Sequence, residues 1–225
     1  MLYKIKEKIK WKVSKDLVEY ETAVKFMENE VENIISGKSD GTIWLASHPS
    51  IYTAGISSKD HDLLNNQNIP VFKTNRGGQY TYHGPGIKII YVMVDIKKIF
   101  APQKPDIALF VEMLESWIIR ILDNFGVKGE IRKNRVGIWV ENGNGGEDKI
   151  AAIGIKVRKW VSYHGIALNI NPNLEFFNGI VPCGISDAKF GVTSLQKLEK
   201  IAEDEEINKI IRTEFGAITI PILAN

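Results

Sequence analysis

The chain has 225 residues, of which 44% are hydrophobic, 25% charged and 9% aromatic; this is enough apolar material for one sizeable core and excludes a disordered chain, a collagen and a disulfide scaffold. With 29 Lys and Arg against 27 Asp and Glu the formal charge is +2 at pH 7, so no global field selects nucleic acid or an anionic membrane as partner. A single cysteine, Cys183, cannot close an internal disulfide and predicts a reducing, cytoplasmic setting.

In chain order, Met1 to Lys8 alternates charged and apolar residues and includes Glu7, which predicts neither a signal peptide nor a transit peptide. A helix is predicted from about Asp16 to Ser36, with Leu17, Tyr20, Val24, Met27, Val31, Ile34 and Ile35 on its core face and Gly37 as its stop. Strands are predicted over Thr42 to Ala46, Val71 to Thr74 and Ile89 to Val94. A second helix follows Lys104, Pro105 and Asp106, carrying Ile107, Phe110, Met113, Leu114, Trp117, Ile121 and Leu122 at three-and-four spacing before Gly126. Further strands are expected over Val136 to Val140, Ile150 to Val157 and Val161 to Asn169, with the Gly143 to Gly146 stretch as a hairpin turn, and a last helix from about Glu203 to Phe215. Helix-separated strands in the first half and hairpin neighbours in the second predict an α/β (α+β) chain, a single domain over 1–225 with a mixed β-sheet flanked by helices. No apolar run reaches the ~18 residues of a membrane helix, so no membrane partner is expected.

One loop stands apart. Arg76, Gly77, Gly78, Gln79, Tyr80, Thr81, Tyr82, His83, Gly84, Pro85 and Gly86 combine close-approach glycines with an arginine and a histidine, a composition that lets backbone meet a ligand without side-chain collision. The lesser alternative is a long structured hairpin with an Arg salt bridge. A phosphate loop is excluded because the Gly-Lys-Ser/Thr end is missing, and no Gly-x-Gly-x-x-Gly opens a helix after a strand. The four histidines His48, His61, His83 and His164 and the cysteine fall at no metal-ligand spacing, so neither a metal nor a cofactor is expected; His48 and His61 read as structural.

Cys183 sits between Pro182 and Gly184, an arrangement that suits a presented nucleophile and equally an inert core thiol. A thiol with an ordinary pKa of ~8.5 needs a cation or base to act at neutral pH. Lys149 is the candidate: it opens a strand, Ile150 to Gly154, whose small residues leave room for a ligand, although a lysine at a strand head is equally a solvated charge.

Four stretches in this order, Arg76 to Gly86, Lys149 to Gly154, His164 to Asn169 and Pro182 to Ile185, resemble the lipoyl(octanoyl) transferase family, and the interval from Lys149 to Cys183 also looks like the family's. The resemblance spans roughly residues 44–200. It implies the biotin/lipoate protein ligase-like fold and an acyltransferase that moves an octanoyl group from octanoyl-acyl carrier protein to a lysine of lipoyl domains of 2-oxoacid dehydrogenase E2 subunits or glycine cleavage H protein, without a nucleotide. Carried over by motif, Cys183 is the acyl-thioester nucleophile and Lys149 the residue that activates it. Arg76, Gly77, Gly78, Gln79, Tyr80, Thr81, Tyr82 and His83, with Ala152, Ile153, Gly154, Gly165, Ile166 and Ala167, line the acyl site. Ile87 departs from the family's usual glutamine. Since the family's protein substrates are acidic, Lys88, Lys156, Arg158 and Lys159 are candidates for docking or for a solvated face. An ATP-dependent lipoate or biotin ligase on the same fold and a non-catalytic module binding acylated carrier protein are the rival readings.

Overall fold

The structure, a computed structural model, describes residues 8–65, 68–181 and 189–218. In chain order these form β1 (Lys10–Val13), α1 (Tyr20–Ile35), β2 (Thr42–Ala46), β3 (Ile51–Ala54), β4 (Val71–Lys73), β5 (Tyr80–His83), β6 (Ile87–Met93), α2 (Ile96–Phe100) and α3 (Ile107–Asp123). They continue with β7 (Glu130–Arg132), β8 (Arg135–Glu141), β9 (Glu147–Arg158), β10 (Val161–Asn169), β11 (Phe190–Val192) and α4 (Asp204–Ala217).

The main sheet runs β1-β2-β6-β10-β9-β8-β7, with β11 added parallel to β9. It is mixed, as expected: β1 pairs parallel with β2 across the α1 connection, whereas the β7 to β10 run is antiparallel and joined by short turns. The turn at Gly143–Gly146 closes on the hydrogen bond from Asn142 N–H to the Gly146 carbonyl, 3.1 Å.

Each face of the sheet has its own core. On one, Ile43, Leu45, Ile90, Val92, Ile166 and Leu168 meet Trp117 and Ile121 of α3 and Ile211 and Phe215 of α4. On the other, Trp44, Ile89, Tyr91 and Ala167 meet Met27 and Val31 of α1 and the small sheet β4-β3-β5. That small sheet is where the sequence reading needs correction, because the glycine-rich stretch is not all loop. Tyr80–His83 alternates inward tyrosines and pairs antiparallel with β3, Tyr82 against Tyr52.

Helix α3 begins where Asp106 accepts from the Ala108 and Leu109 N–H groups, at 2.7 and 3.1 Å. On α1 the expected core face is shifted. Leu17 precedes the helix and is 49% exposed, and Val24 is only half-buried, while Glu30 takes a buried place. The carboxylate is tolerated because Ser39 and Thr42 hydroxyls donate to its Oε1 at 2.6 and 2.7 Å. Among the described residues no helix is long and apolar enough to cross a membrane.

Candidate active site

Antiparallel register fixes which side chains share a face: Gly165 stands opposite Gly154 and Tyr91, and Ala167 opposite Ala152 and Ile89. These small residues leave the α1 side of β9 and β10 uncovered, and a pocket forms over them, roofed by Gly78 to Thr81 and His83 and reaching Lys149. Ile153 and Ile166 border the same pocket, but alternation sends their side chains to the opposite core.

Strict alternation along β9 would also send Lys149 away, since it differs in parity from Ala152 and Gly154. A bulge reverses this. Ile138 faces Ala151 and the next residue, Trp139, faces Lys149, so Ile150 is an extra residue and both Ile150 and Ala151 enter the α3-side core. Lys149 therefore turns onto the pocket side, and it lies inside β9, third from Glu147, instead of opening the strand. Its side chain is buried, 7% exposed; Nζ donates to the Val136 carbonyl at 2.8 Å and sits 4.8 Å from the Trp139 ring centre. Cys183 lies outside the described residues.

Arg76 is the frame of the glycine-rich segment. It is 7% exposed, and its Nη2 donates to the Thr53 carbonyl and hydroxyl, both at 2.7 Å, and to the Gln79 carbonyl at 2.9 Å, while Nη1 donates to the Gly77 carbonyl at 2.9 Å. A guanidinium presents these donors in a rigid fork, so one side chain fixes the turn and its β3 neighbour together. Gly77 N–H ties the turn to β9 through the Ile155 carbonyl at 2.9 Å, and a Cβ at Gly154 would lie 2.8 Å from the Gly77 carbonyl oxygen. Gly77 and Tyr82 thus stand behind the pocket wall, Tyr82 meeting Tyr52 and Phe177 edge to face in the core.

Several lining residues were not among the site candidates the sequence offered: Tyr20, Tyr91, Asn134, Arg135 and Val136, and His164, which heads a family-like stretch without being assigned to the acyl site. Tyr20, Tyr91 and His164 join His48 and His83 in a buried polar cluster. His48 Nδ1 donates to the Val18 carbonyl at 2.6 Å, which leaves Nε2 to accept from the Tyr91 hydroxyl at 2.6 Å. This confirms the structural role expected of His48. Thr53 Oγ1 already accepts from Arg76, so it donates to His83 Nε2 at 3.1 Å and the proton of that ring sits on Nδ1, buried and unpartnered among the described residues. Burial holds His83 well below its ordinary pKa, helped by the neighbouring His48 and Arg76. His164 is pushed down to about 3 by burial and by the charges of Arg76 and Lys156, and burial lifts Tyr20 to about 12. The cluster is neutral at pH 7.

The expected docking lysines are placed variously. Lys88 is 4% exposed and pairs with Asp204 at the start of α4, so it is not a surface cation. Lys156 lies 5.3 Å over the Tyr163 ring, and Arg158 pairs with Glu32 at 2.6 Å.

Comparison with known proteins gives this geometry a lineage. The lipoyl protein ligase A/B catalytic domain matches residues 19–216. An octanoyltransferase of Nitrobacter hamburgensis is 47% identical over 218 residues, 96% of this chain and 88% of the relative, and one of Parvibaculum lavamentivorans is 49% identical over 213 residues, 92% of each. Among solved structures, the bi-partite lipoate protein ligase of Thermoplasma acidophilum superposes with a TM-score of 0.66 at 14% identity, over 93% of this chain and 83% of that one. A lipoate-protein ligase A bound with ATP gives 0.65 at 14% identity, over 92% and 85%. These two show the fold, the ligase-like mixed sheet flanked by helices that the sequence predicts.

The chain belongs to the lipoyl protein ligase A/B catalytic domain family. Within it, relatives at 44–49% identity over most of the chain carry the name octanoyltransferase, and this protein is an acyltransferase.

Proposed function

We propose that the protein transfers an octanoyl group from octanoyl-acyl carrier protein to a lysine of lipoyl domains, of 2-oxoacid dehydrogenase E2 subunits and of glycine cleavage H protein, through a thioester on Cys183. Octanoyl transfer in protein lipoylation is the activity of the family branch to which the chain belongs. The observation that carries the route is the bulge in β9, which holds the Lys149 amine at a pocket floored by Gly154, Gly165, Ala152 and Ala167. We read the whole chain as one catalytic unit working in the cytoplasm.

In the first step Lys149 takes the proton of the Cys183 thiol and the sulfur attacks the thioester carbonyl; a carbon–sulfur bond to the enzyme forms, that to the carrier breaks, and the carrier thiol leaves with the proton handed on by Lys149. In the second, the acceptor lysine amine attacks the Cys183 thioester, an amide forms as the carbon–sulfur bond to Cys183 breaks, and the proton released by the amine returns through Lys149 to the cysteine sulfur. Both donor and intermediate are thioesters, so the exchange needs no nucleotide. Burying the acyl methylenes against Ile89, Ala152 and Ala167, at about 0.8 kcal/mol each, supplies several kcal/mol to place the carbonyl.

The test is incubation of a lipoyl domain with the enzyme and either octanoyl-acyl carrier protein without ATP or octanoic acid with ATP. Modification in the first mixture only is expected, together with an enzyme mass increase of one octanoyl group that hydroxylamine removes and Cys183→Ala abolishes. Modification in the second mixture only assigns the chain to the ligases. A Cys183→Ala enzyme that still modifies the domain at the parent rate removes the mechanism.

A further inference from the structure

Helix α3 offers the sheet an apolar face of Phe110, Met113, Leu114, Trp117, Ile118 and Ile121, all buried, and at the edge of it stands Glu115, 4% exposed. A carboxylate there is costly unless something specific answers it. What answers it is a backbone group of β8: Gly137 N–H donates to Glu115 Oε1 at 3.0 Å. Gly137 lies just before the stretch where β8 pairs with β9, which starts at Ile138. Its φ of +117° is open to glycine and strained for other residues.

The other side of Gly137 is the seat of the Lys149 side chain. A Cβ on Gly137 would lie 3.0 Å from Lys149 Cε, 3.1 Å from Nζ and 2.6 Å from the Ala151 carbonyl oxygen. The preceding residue, Val136, offers Nζ its carbonyl at 2.8 Å. The same two residues of β8 therefore hold the amine on one side and are held by a buried carboxylate on the other.

We infer that Glu115 is a positioning residue for Lys149: by anchoring Gly137 N–H it fixes the Val136–Gly137 backbone on which the amine rests. The inference rests on the role proposed above for Lys149. Burial raises the Glu115 carboxyl above its ordinary pKa and the neighbouring Glu112 raises it further, whereas the Gly137 N–H and the Lys149 charge work in the opposite direction, so the lysine lies within electrostatic reach. A misplacement of the order of 1 Å costs up to ~10²-fold in rate, which makes a backbone anchor visible in kinetics.

The experiment is single-turnover acylation of the full chain by a small octanoyl thioester, octanoyl-N-acetylcysteamine, followed by mass and repeated over thioester concentration. Glu115→Met, which fills the site without an oxygen acceptor, is expected to slow acylation about tenfold at saturation with half-saturation unchanged. Glu115→Gln, which keeps an acceptor for Gly137, recovers most of that loss. In a Lys149→Ala background, Glu115→Met costs nothing further, because the effect passes through the lysine. Parent-rate acylation of Glu115→Met overturns the inference, and so does an equal loss in both backgrounds, which marks a merely structural residue. Where Glu115→Met does not fold, Glu115→Asp, one methylene too short to keep the anchor, is read the same way. A Lys149→Ala enzyme acylated at the parent rate, seen before Glu115 is altered, refutes the role of the lysine itself and is thereby distinguished.

Discussion

Thr53 is the joint between the glycine-rich turn and the polar cluster. Its hydroxyl accepts from Arg76 Nε at 3.2 Å and Nη2 at 2.7 Å and donates to His83 Nε2 at 3.1 Å, and both Thr53 and Arg76 are buried. Replacing Thr53 by valine keeps the shape but removes the acceptor of Arg76 Nε and the donor to the His83 ring nitrogen, while Nη2 keeps the Thr53 and Gln79 carbonyls, a loss of about 1–3 kcal/mol. Thr53→Val is therefore expected to lower the melting temperature by several degrees, read by calorimetry, and an unchanged Tm contradicts the joint. Nothing in the sequence marked Thr53, because its importance comes from two residues 23 and 30 positions away that only the fold delivers. Lys149 and Arg76 were legible because they stand inside stretches of unusual composition. Tyr91 and Arg135 line the pocket through strand register and hairpin geometry, and such juxtapositions leave no local pattern.

Elements with a strong period were legible to within a few residues: β2 and β10 have the bounds the sequence predicts, and α3 runs from Ile107 to Asp123 as its apolar spacing requires. The short strands β1, β3, β7 and β11, of three or four residues, fell below that signal. So did the bulge in β9, since an inserted residue is visible only against its partner strand. Helix α3 carries Glu115, and its start is held by one side chain, Asp106, over two N–H groups. Asp106→Ala removes that cap from an exposed helix end and is expected to cost about 1 kcal/mol. In urea unfolding the midpoint falls with the slope preserved, and octanoyl transfer by the folded enzyme keeps its parent rate. A lost activity at full foldedness shows instead that the first turn of α3 reaches the site.

At the scale of the molecule, the second core includes three imidazoles held neutral by burial: His48, His83 and His164. All three have pKa values in the folded state below the unfolded value of 6.5, so the unfolded chain binds their protons first. The stability they contribute is complete above pH 6.5 and is lost as pH falls below it, for His164 down to about 3. Below pH 6.5 a group that stays neutral in the fold removes about 1.4 kcal/mol per pH unit, as His164 does down to about 3. Glu115, raised by burial, works in the opposite sense, while Glu130 and Glu147, lowered by their Arg and Lys partners, add to the acid loss only below the carboxylate value of 4.5. Between pH 6.5 and 5 the histidines therefore dominate. Urea unfolding free energies measured across that window are expected to fall with a slope approaching two protons from His83 and His164, to which His48 adds. His164→Asn, chosen because asparagine accepts the φ of +59° found there, is expected to reduce the slope by one. A parent slope near zero means that the cluster opens to water and charges without unfolding, in which case its neutrality is not a property of the folded site.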